Sequence, residues 1–293
     1  MAQELKIAIQ GGAASFHDKA SRVYFAQQKV AAVPCSSFPE LFETLENGEA
    51  TYAVMAIENA LSGSILTNYS LLLQHDFSIM GELWLPIDQN LMALPGQKMK
   101  DIHTVLSHPV ALLQCGDFLK HHAYMQEQER SDTAESAREI KEQDLKGVAA
   151  IAGKQAAELY GLEILQENIA DRQDNFTRFL VLSRDHVQKM LHASADKATL
   201  ILQLPYSSRM LGAIIHKLYT LKITVSLIQY IPAPAGNTSQ NIALDLESND
   251  YFRLLNAIEE LEPMVDNLKL LGLYSKAGMP QYLEFGEKVL SHA

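Results

Sequence analysis

Residues Asp174-Asn175-Phe176-Thr177-Arg178-Phe179 run directly into the apolar stretch Leu180-Val181-Leu182. A short polar cluster feeding a strand places side chains at a strand end, where open α/β sheets bind ligands. Here it combines an amide, a hydroxyl, a guanidinium and two phenyl rings. Arg178 can grip a carboxylate through two parallel hydrogen bonds. Thr177 can donate a hydrogen bond, and the rings can exclude water. The pattern predicts a site for a carboxylate ligand; the plainer alternative is a strand start with an exposed arginine.

Four further segments carry polar groups at strand or helix ends. Gly11-Gly12-Ala13-Ala14-Ser15-Phe16-His17 reads as a strand-to-helix loop whose backbone amides, helped by the helix N-terminus, face a ligand. In Ile57-Glu58-Asn59-Ala60-Leu61-Ser62-Gly63-Ser64, Asn59 offers donors and an acceptor and Ser64 can cap the next helix. Glu58 is expected to hold that loop or a hinge. In Ser107-His108-Pro109, the proline suits a first helical position. Ser107 and the freed amides there can bind an anion. His108 is a candidate acid–base group, since histidine titrates near neutrality, although a histidine beside a proline is more often a structural hydrogen-bonder. Gln114 and Cys115 read as packing. Asp132 is a natural N-cap, with Glu135 three residues on and Thr133 adding a hydroxyl at the same helix start.

These groups need a scaffold, and the chain has 293 residues to build one, enough for two domains. It is 47% apolar and 20% charged, as a globular protein should be. A net charge of −11 does not attract nucleic acid or anionic membrane over the general surface, so an anionic ligand needs locally supplied positive potential. Two cysteines, Cys35 and Cys115, make no disulfide framework or zinc spacing, and no metal site is expected. The N-terminus lacks a signal-peptide pattern, and no apolar run approaches the roughly 20 residues of a membrane span. The expected location is the cytoplasm.

Through residue 184, strand-like and helix-like pieces alternate. Strands are predicted over 6–10, 30–33, 52–57, 104–106, 148–152, 164–169 and 176–182, with 77–94 extended and interrupted at Pro86. Helices are predicted over 16–28, 38–45, 66–74, 132–143 and 153–160, and after Pro109. The alternation implies largely parallel sheets covered by helices. Eight or nine strands are many for one open sheet of this size, so two α/β lobes with a cleft between them are expected. A polar stretch then marks a boundary, giving a first domain over 1–184, a linker over 185–196 and a second domain over 197–293. The second domain reads β-α-β-β-α-β, the split ferredoxin-like unit, with a Pro/Gly loop over 232–240.

The five segments, in this order, resemble the motifs of prephenate dehydratases, and the C-terminal unit resembles the ACT regulatory domain. The resemblance covers nearly the whole chain. It implies a two-lobed, periplasmic-binding-protein-like catalytic domain with crossings near 58–80 and 165–178, followed by a ferredoxin-like ACT α+β domain. It implies loss of water and carbon dioxide from prephenate to give phenylpyruvate, in phenylalanine biosynthesis, with no metal or organic cofactor. Carried onto this chain, Arg178 holds a carboxylate, Thr177 bonds the departing hydroxyl and Phe179 walls the pocket. Ser15, Asn59, Ser64, Ser107, Thr133 and Asn175 bind substrate.

The chain departs from the family pattern in places. Ala14 stands where a second glycine is usual, and His17 where a serine-like residue is usual. In the ACT-like unit, Arg209-Met210-Leu211 replaces Gly-Ala-Leu, and Gln229-Tyr230-Ile231-Pro232 replaces Glu-Ser-Arg-Pro. These are the candidate regulatory positions, and their substitution predicts a weak response to an amino-acid effector such as phenylalanine. The expected assembly is a homodimer or homotetramer, without nucleic-acid or membrane partners. Two alternatives stand beside the dehydratase: a non-catalytic amino-acid or keto-acid sensor using the same cleft, and the same chemistry on arogenate.

Overall fold

The computed structural model describes residues 4–184, 194–205, 208–232 and 239–278. Their strands form three sheets. The first sheet uses β1 (Leu5–Gln10), β2 (Val30–Cys35), β3 (Tyr52–Asn59), the two-residue β4 (Gly63–Ser64), β5 (Ser78–Pro86) and β11 (Phe176–Ser183). Its order is β2-β1-β3-β11-β5, with β4 paired to β3. β1 is parallel to β2 and β3, and β11 runs antiparallel to both β3 and β5. The second sheet has the order β10-β6-β9-β7-β8, built from β6 (Asn90–Ala93), β7 (Thr104–Ser107), β8 (Gln126–Glu129), β9 (Val148–Ala152) and β10 (Glu163–Gln166).

Helices α1 (Phe16–Tyr24), α2 (Phe38–Glu46) and α3 (Leu66–Gln74) cover the first sheet. The second is covered by α4 (Pro109–Gln114), α5 (Gly116–His121), α6 (Thr133–Glu142) and α7 (Lys154–Tyr160). Local sequence explains their ends. Ser37 caps α2 and Asp132 caps α6, with Asp132 Oδ1 accepting from Ala134 N at 2.9 Å and Glu135 N at 3.0 Å. Gly161, at φ +62°, ends α7 in the left-handed region. Ser64 does not cap α3 as expected: Ile65 holds the N-cap position and makes no side-chain cap bond.

The chain crosses between the lobes twice. The first crossing is Ile87–Gln89, between β5 and β6, not the expected 58–80; the second, residues 167–175, lies within the expected 165–178. The two crossings are bonded to each other, Ile87 N to Asn175 O and Ile169 N to Gln89 O, each at 2.9 Å.

The third sheet is antiparallel, in the order β13-β14-β12-β15, from β12 (Lys197–Pro205), β13 (Thr224–Ile231), β14 (Ser239–Glu247) and β15 (Asn267–Tyr274). With α8 (Ser208–Thr220) and α9 (Tyr251–Leu261) it makes the β-α-β-β-α-β unit. One face, carrying Leu200, Leu202, Leu244 and Leu246, packs on the two helices. The other face, carrying Ile201, Ala243, Leu271 and Tyr274, joins the core of the first lobe. Contact is close there: a Cβ on Gly272 would lie 2.3 Å from the carbonyl oxygen of Ile79. Most of the expected linker, residues 185–193, lies outside the described residues, as do 233–238 of the expected loop and 279–293 of the second domain.

β8 was not expected. Its residues Gln126, Glu127, Gln128 and Glu129 are all exposed, so no apolar alternation marks it. Parallel pairing with β7 makes it a strand.

Candidate active site

Between the two lobes lies a cleft of about 350 Å³, within the usual range for small-molecule sites. The first lobe contributes Gln10, His17, Phe38, Asn59, Thr177 and Phe179, and the second contributes His108, Gln114, Asp132 and Thr133. No lysine or arginine is among the lining residues. Positive potential comes instead from backbone: the N-termini of α1 and α6, where Ser15 and Thr133 stand, direct their helix dipoles at the cleft region, although their caps Ser15 and Asp132 already take part of the first-turn amides.

Thr177 is set by an amide chain. Asn59 Oδ1 accepts from the backbone N–H of Leu61 at 3.0 Å and of Ser62 at 2.9 Å. Those groups only donate, so the amide orientation is settled and Nδ2 faces the other way. Nδ2 donates to Thr177 Oγ1 at 3.0 Å, to Phe176 O at 3.1 Å and to Asn175 Oδ1 at 2.7 Å. Asn175 Nδ2 in turn donates to Gln114 Oε1 at 2.9 Å, linking the second crossing to α4 of the second lobe. Thr177 Oγ1 is therefore an acceptor within the protein, and its hydroxyl hydrogen is left for a ligand.

His17 packs edge-on against Phe179, with ring centroids 5.1 Å apart, and lies 5.6 Å from Phe38. Its Nε2 accepts from Ala56 N at 3.3 Å, which places the ring proton on Nδ1. Burial without a counter-charge pushes its pKa down to about 3, so the ring is neutral under ordinary conditions. Burial also pushes the Asp132 carboxyl up from the ordinary carboxylate value, against the opposing pull of the α6 amides. Asp132 approaches the first lobe closely: a Cβ on Gly11, at φ +85°, would lie 2.9 Å from its Oδ2. Glycine is required there on both counts. His108 Nδ1 accepts from Val110 N at 3.2 Å, so the ring caps its own helix.

Ala14 adopts φ +62°, a conformation that suits glycine. Its methyl is buried in the core cluster of the second lobe that also holds Leu106, Ala134 and Ala137. Tyr160 of the second lobe also donates to Ala13 O at 3.2 Å.

The expected site residues divide. Thr177, Phe179, Asn59 and Thr133 line the cleft. Asn175 is buried one bond behind, holding Asn59. Ser15 is buried as the α1 cap, its Oγ accepting from Asp18 N at 3.2 Å. Ser107 is not among the lining residues, and its hydroxyl donates to Ile151 O at 2.6 Å. Ser64 sits on β4 opposite Glu58 and is not among the lining residues.

Arg178 is the main correction. It follows Thr177 on β11, and successive strand residues face opposite sides. Thr177, Phe179 and Val181 face the cleft side, whereas Arg178, Leu180 and Leu182 face the third sheet. The Arg178 side chain, 3% exposed, pairs with Glu82 at 2.6 Å and Asp245 at 2.7 Å. Lys197 completes the cluster, 3.1 Å from Glu82 and 3.2 Å from Asp245. Thr199 donates to Asp245 at 2.7 Å, and Arg178 donates to Tyr274 OH at 3.2 Å. Burial works against these charges, but Arg178 and Lys197 hold the Asp245 carboxyl below its ordinary value, and the acids hold Arg178 well above its own. Glu58, 3.5 Å from Arg178, also faces this cluster.

Sequence reasoning did not single out Gln10 or Gln89 and assigned Gln114 to packing, yet all three line the cleft. Gln10 ends β1 immediately before the glycine turn, a position that does signal it. Of the expected regulatory positions, Arg209 is exposed at the start of α8, Met210 and Leu211 pack on the third sheet's core, and Gln229 and Tyr230 lie on β13, where Tyr230 is exposed. Among the described residues, no group of three or more His, Cys, Asp or Glu side chains is placed to hold a metal ion, and no helix is long and apolar enough to cross a membrane.

Comparisons with known proteins agree with this architecture. The chain is 33% identical over 279 residues to a bifunctional chorismate mutase/prephenate dehydratase of Enterobacter agglomerans, covering 93% of this chain and 71% of that protein. It is 42% identical over 183 residues to arogenate dehydratase 2 of Petunia hybrida, covering 62% of this chain and 46% of that protein. A solved prephenate dehydratase from Arthrobacter aurescens, in complex with L-Phe, has the same fold, with a TM-score of 0.81 at 24% identity over 98% of this chain and 97% of that one. The family model for prephenate dehydratase matches residues 7–187, and the chain belongs to that family.

Proposed function

We propose that this protein converts prephenate to phenylpyruvate, and that the Thr177 hydroxyl assists departure of the substrate hydroxyl. The observation that carries the reading is the 3.0 Å bond from Asn59 Nδ2 to Thr177 Oγ1, which leaves the threonine hydrogen free to point at a ligand in the cleft. Prephenate loses its ring carboxylate as carbon dioxide. The electron pair of that carbon–carbon bond moves through the diene and expels the hydroxyl at the opposite ring carbon as hydroxide, which becomes water by taking a proton from solvent. Thr177 is far too weak an acid to give up its proton outright; it donates a hydrogen bond to the oxygen as negative charge builds there. Phe179 and Phe38 keep the ring end of the cleft dry, which strengthens that bond. The carboxylates meet helix amides rather than a guanidinium.

Incubating the purified protein with prephenate and following phenylpyruvate absorbance tests the reading. Turnover that Thr177→Val abolishes supports it. Binding of phenylpyruvate or phenylalanine without any turnover of prephenate or arogenate would make the protein a sensor instead.

The third sheet is proposed as the assembly and effector unit of a cytoplasmic homo-oligomer. β13 is its open edge, with Ile228 and Tyr230 exposed. Arg209 and Tyr230 at the substituted positions support only weak control by phenylalanine. Light scattering and a phenylalanine titration check both: a monomer, or strong inhibition at one effector per chain, would remove this part.

A further inference from the structure

His17 is a cleft residue to which the dehydration chemistry gives no role. It is 8% exposed, and its orientation is held on three sides: Ala56 N donates to Nε2 at 3.3 Å, Phe179 stands edge-on, and Phe38 lies against it. A backbone N–H cannot accept, so moving the ring proton to Nε2 would set two donors against each other. Nδ1 carries the proton and bonds to none of the described residues, while the ring lines the cleft. The cleft wall thus presents a neutral group that only donates.

Its location follows from β11. Thr177 and Phe179 are two residues apart on the same strand face, about 7 Å. A substrate whose ring hydroxyl meets Thr177 therefore extends its opposite ring end toward Phe179 and His17. That end carries the three-carbon side chain, where prephenate has a ketone and arogenate an ammonium. A ketone oxygen only accepts, and an ammonium only donates.

We infer that His17 selects the keto acid over the amino acid by presenting a fixed Nδ1–H donor to the substrate's side chain. The inference rests on the dehydratase reading above. An ammonium placed there loses its water and meets another donor, a mismatch worth about tenfold to a hundredfold in kcat/KM.

The test compares kcat/KM for prephenate and for arogenate in the wild type, His17→Phe and His17→Gln. Phenylalanine keeps the packing on Phe179 and deletes both nitrogens; glutamine can accept from Ala56 and still donate. The wild type should favour prephenate at least tenfold, His17→Phe should cut that ratio about tenfold or more, and His17→Gln should keep most of it. A wild type favouring arogenate, or an equal loss on both substrates in His17→Phe, overturns the inference while leaving the dehydratase reading intact. A wild type inert on both removes that reading itself and this inference with it. Should His17→Phe not fold, nitrogen NMR of the wild-type imidazole decides. A neutral ring protonated on Nδ1, whose resonance moves when phenylpyruvate is added, supports the assignment; a ring protonated on Nε2, or one that does not respond, overturns it.

Discussion

Thr177 and Arg178 are neighbours in sequence but serve opposite sides of one sheet. Thr177 Oγ1 lies 3.0 Å from Asn59 Nδ2 at the cleft, and Arg178 Nη2 lies 2.7 Å from Asp245 Oδ2 against the third sheet. The strand that carries the proposed hydrogen-bond donor is thus also the one riveted to the C-terminal unit.

Arg178→Met should therefore act on stability before it acts on substrate. It leaves Glu82 and Asp245, each buried, with Lys197 as the remaining close cation among the described residues. Removing one member of a buried ion cluster costs about 3–5 kcal/mol. Urea denaturation should show a loss of that size, with KM for prephenate little changed in the folded fraction. Wild-type stability with a hundredfold higher KM would return the guanidinium to the substrate.

Asn59→Asp should lower kcat about as far as Thr177→Val. The carboxylate accepts where the amide donated, so the Thr177 hydrogen turns inward and the oxygen faces the ligand. Loss of one preorganised donor costs about 10²–10³ in kcat. The double variant should be scarcely worse than either single one, because both delete the same bond. Independent, multiplying losses in steady-state kcat would separate the two residues.

Acid should weaken the fold in two steps. The His17 ring stays neutral in the folded state down to about pH 3, whereas an unfolded histidine takes a proton near 6.5. Its folded pKa is depressed, so its contribution is fully present above about pH 6.5 and is lost below, by at most about 1.4 kcal/mol per pH unit. Asp245 has a depressed carboxyl pKa, so its pairing is present above the ordinary value near 4 and is lost as pH falls through its folded value. Urea midpoints should drop from pH 7 to pH 5, and His17→Phe should flatten that first slope. An unchanged slope in the variant would assign the acid sensitivity to other groups.

Gly272→Val tests the seat of the third sheet. Its Cβ would lie 2.3 Å from Ile79 O and 2.9 Å from Ile79 Cβ, both on β5. Backbone cannot yield there, so the substitution should cost about 1–3 kcal/mol and loosen the C-terminal unit. Limited proteolysis should then cut between residues 184 and 197 faster than in the wild type; an unaltered rate would mean that the two sheets separate freely.

Much of this arrangement was legible in the residues. The Asp132 cap, the Gly161 stop and the order of the C-terminal unit follow from local chemistry. So does the meeting of Asn59, Thr133 and Thr177, because Asn59 ends a strand, Thr133 starts a helix and Thr177 stands near the start of a strand, all at one cleft. Arg178 was misplaced because both faces of β11 are apolar: Leu180 and Leu182 on its own face and Phe179 and Val181 on the other are all buried, so the period of two does not say which face meets the cleft. What no local pattern could supply was its partner, since Asp245 belongs to another sheet. The first crossing was hidden for a related reason. β5 and β6 are both apolar, and a change of sheet between them alters neither composition nor period. β8 escaped because pairing alone, without burial, makes it a strand.

That polar strand has a consequence for how copies of the chain meet. β8 is an edge whose backbone could template another strand, yet Glu127 and Glu129 stand along it. Two such edges laid side by side would bring like charges together, on a chain whose net charge is already −11. At β13 the exposed side chains include Ile228 and Tyr230, whose apolar surface gains by leaving water. The proposed homo-oligomer therefore pairs at β13: repulsion guards the β8 edge of the second lobe, and the apolar edge belongs to the third sheet.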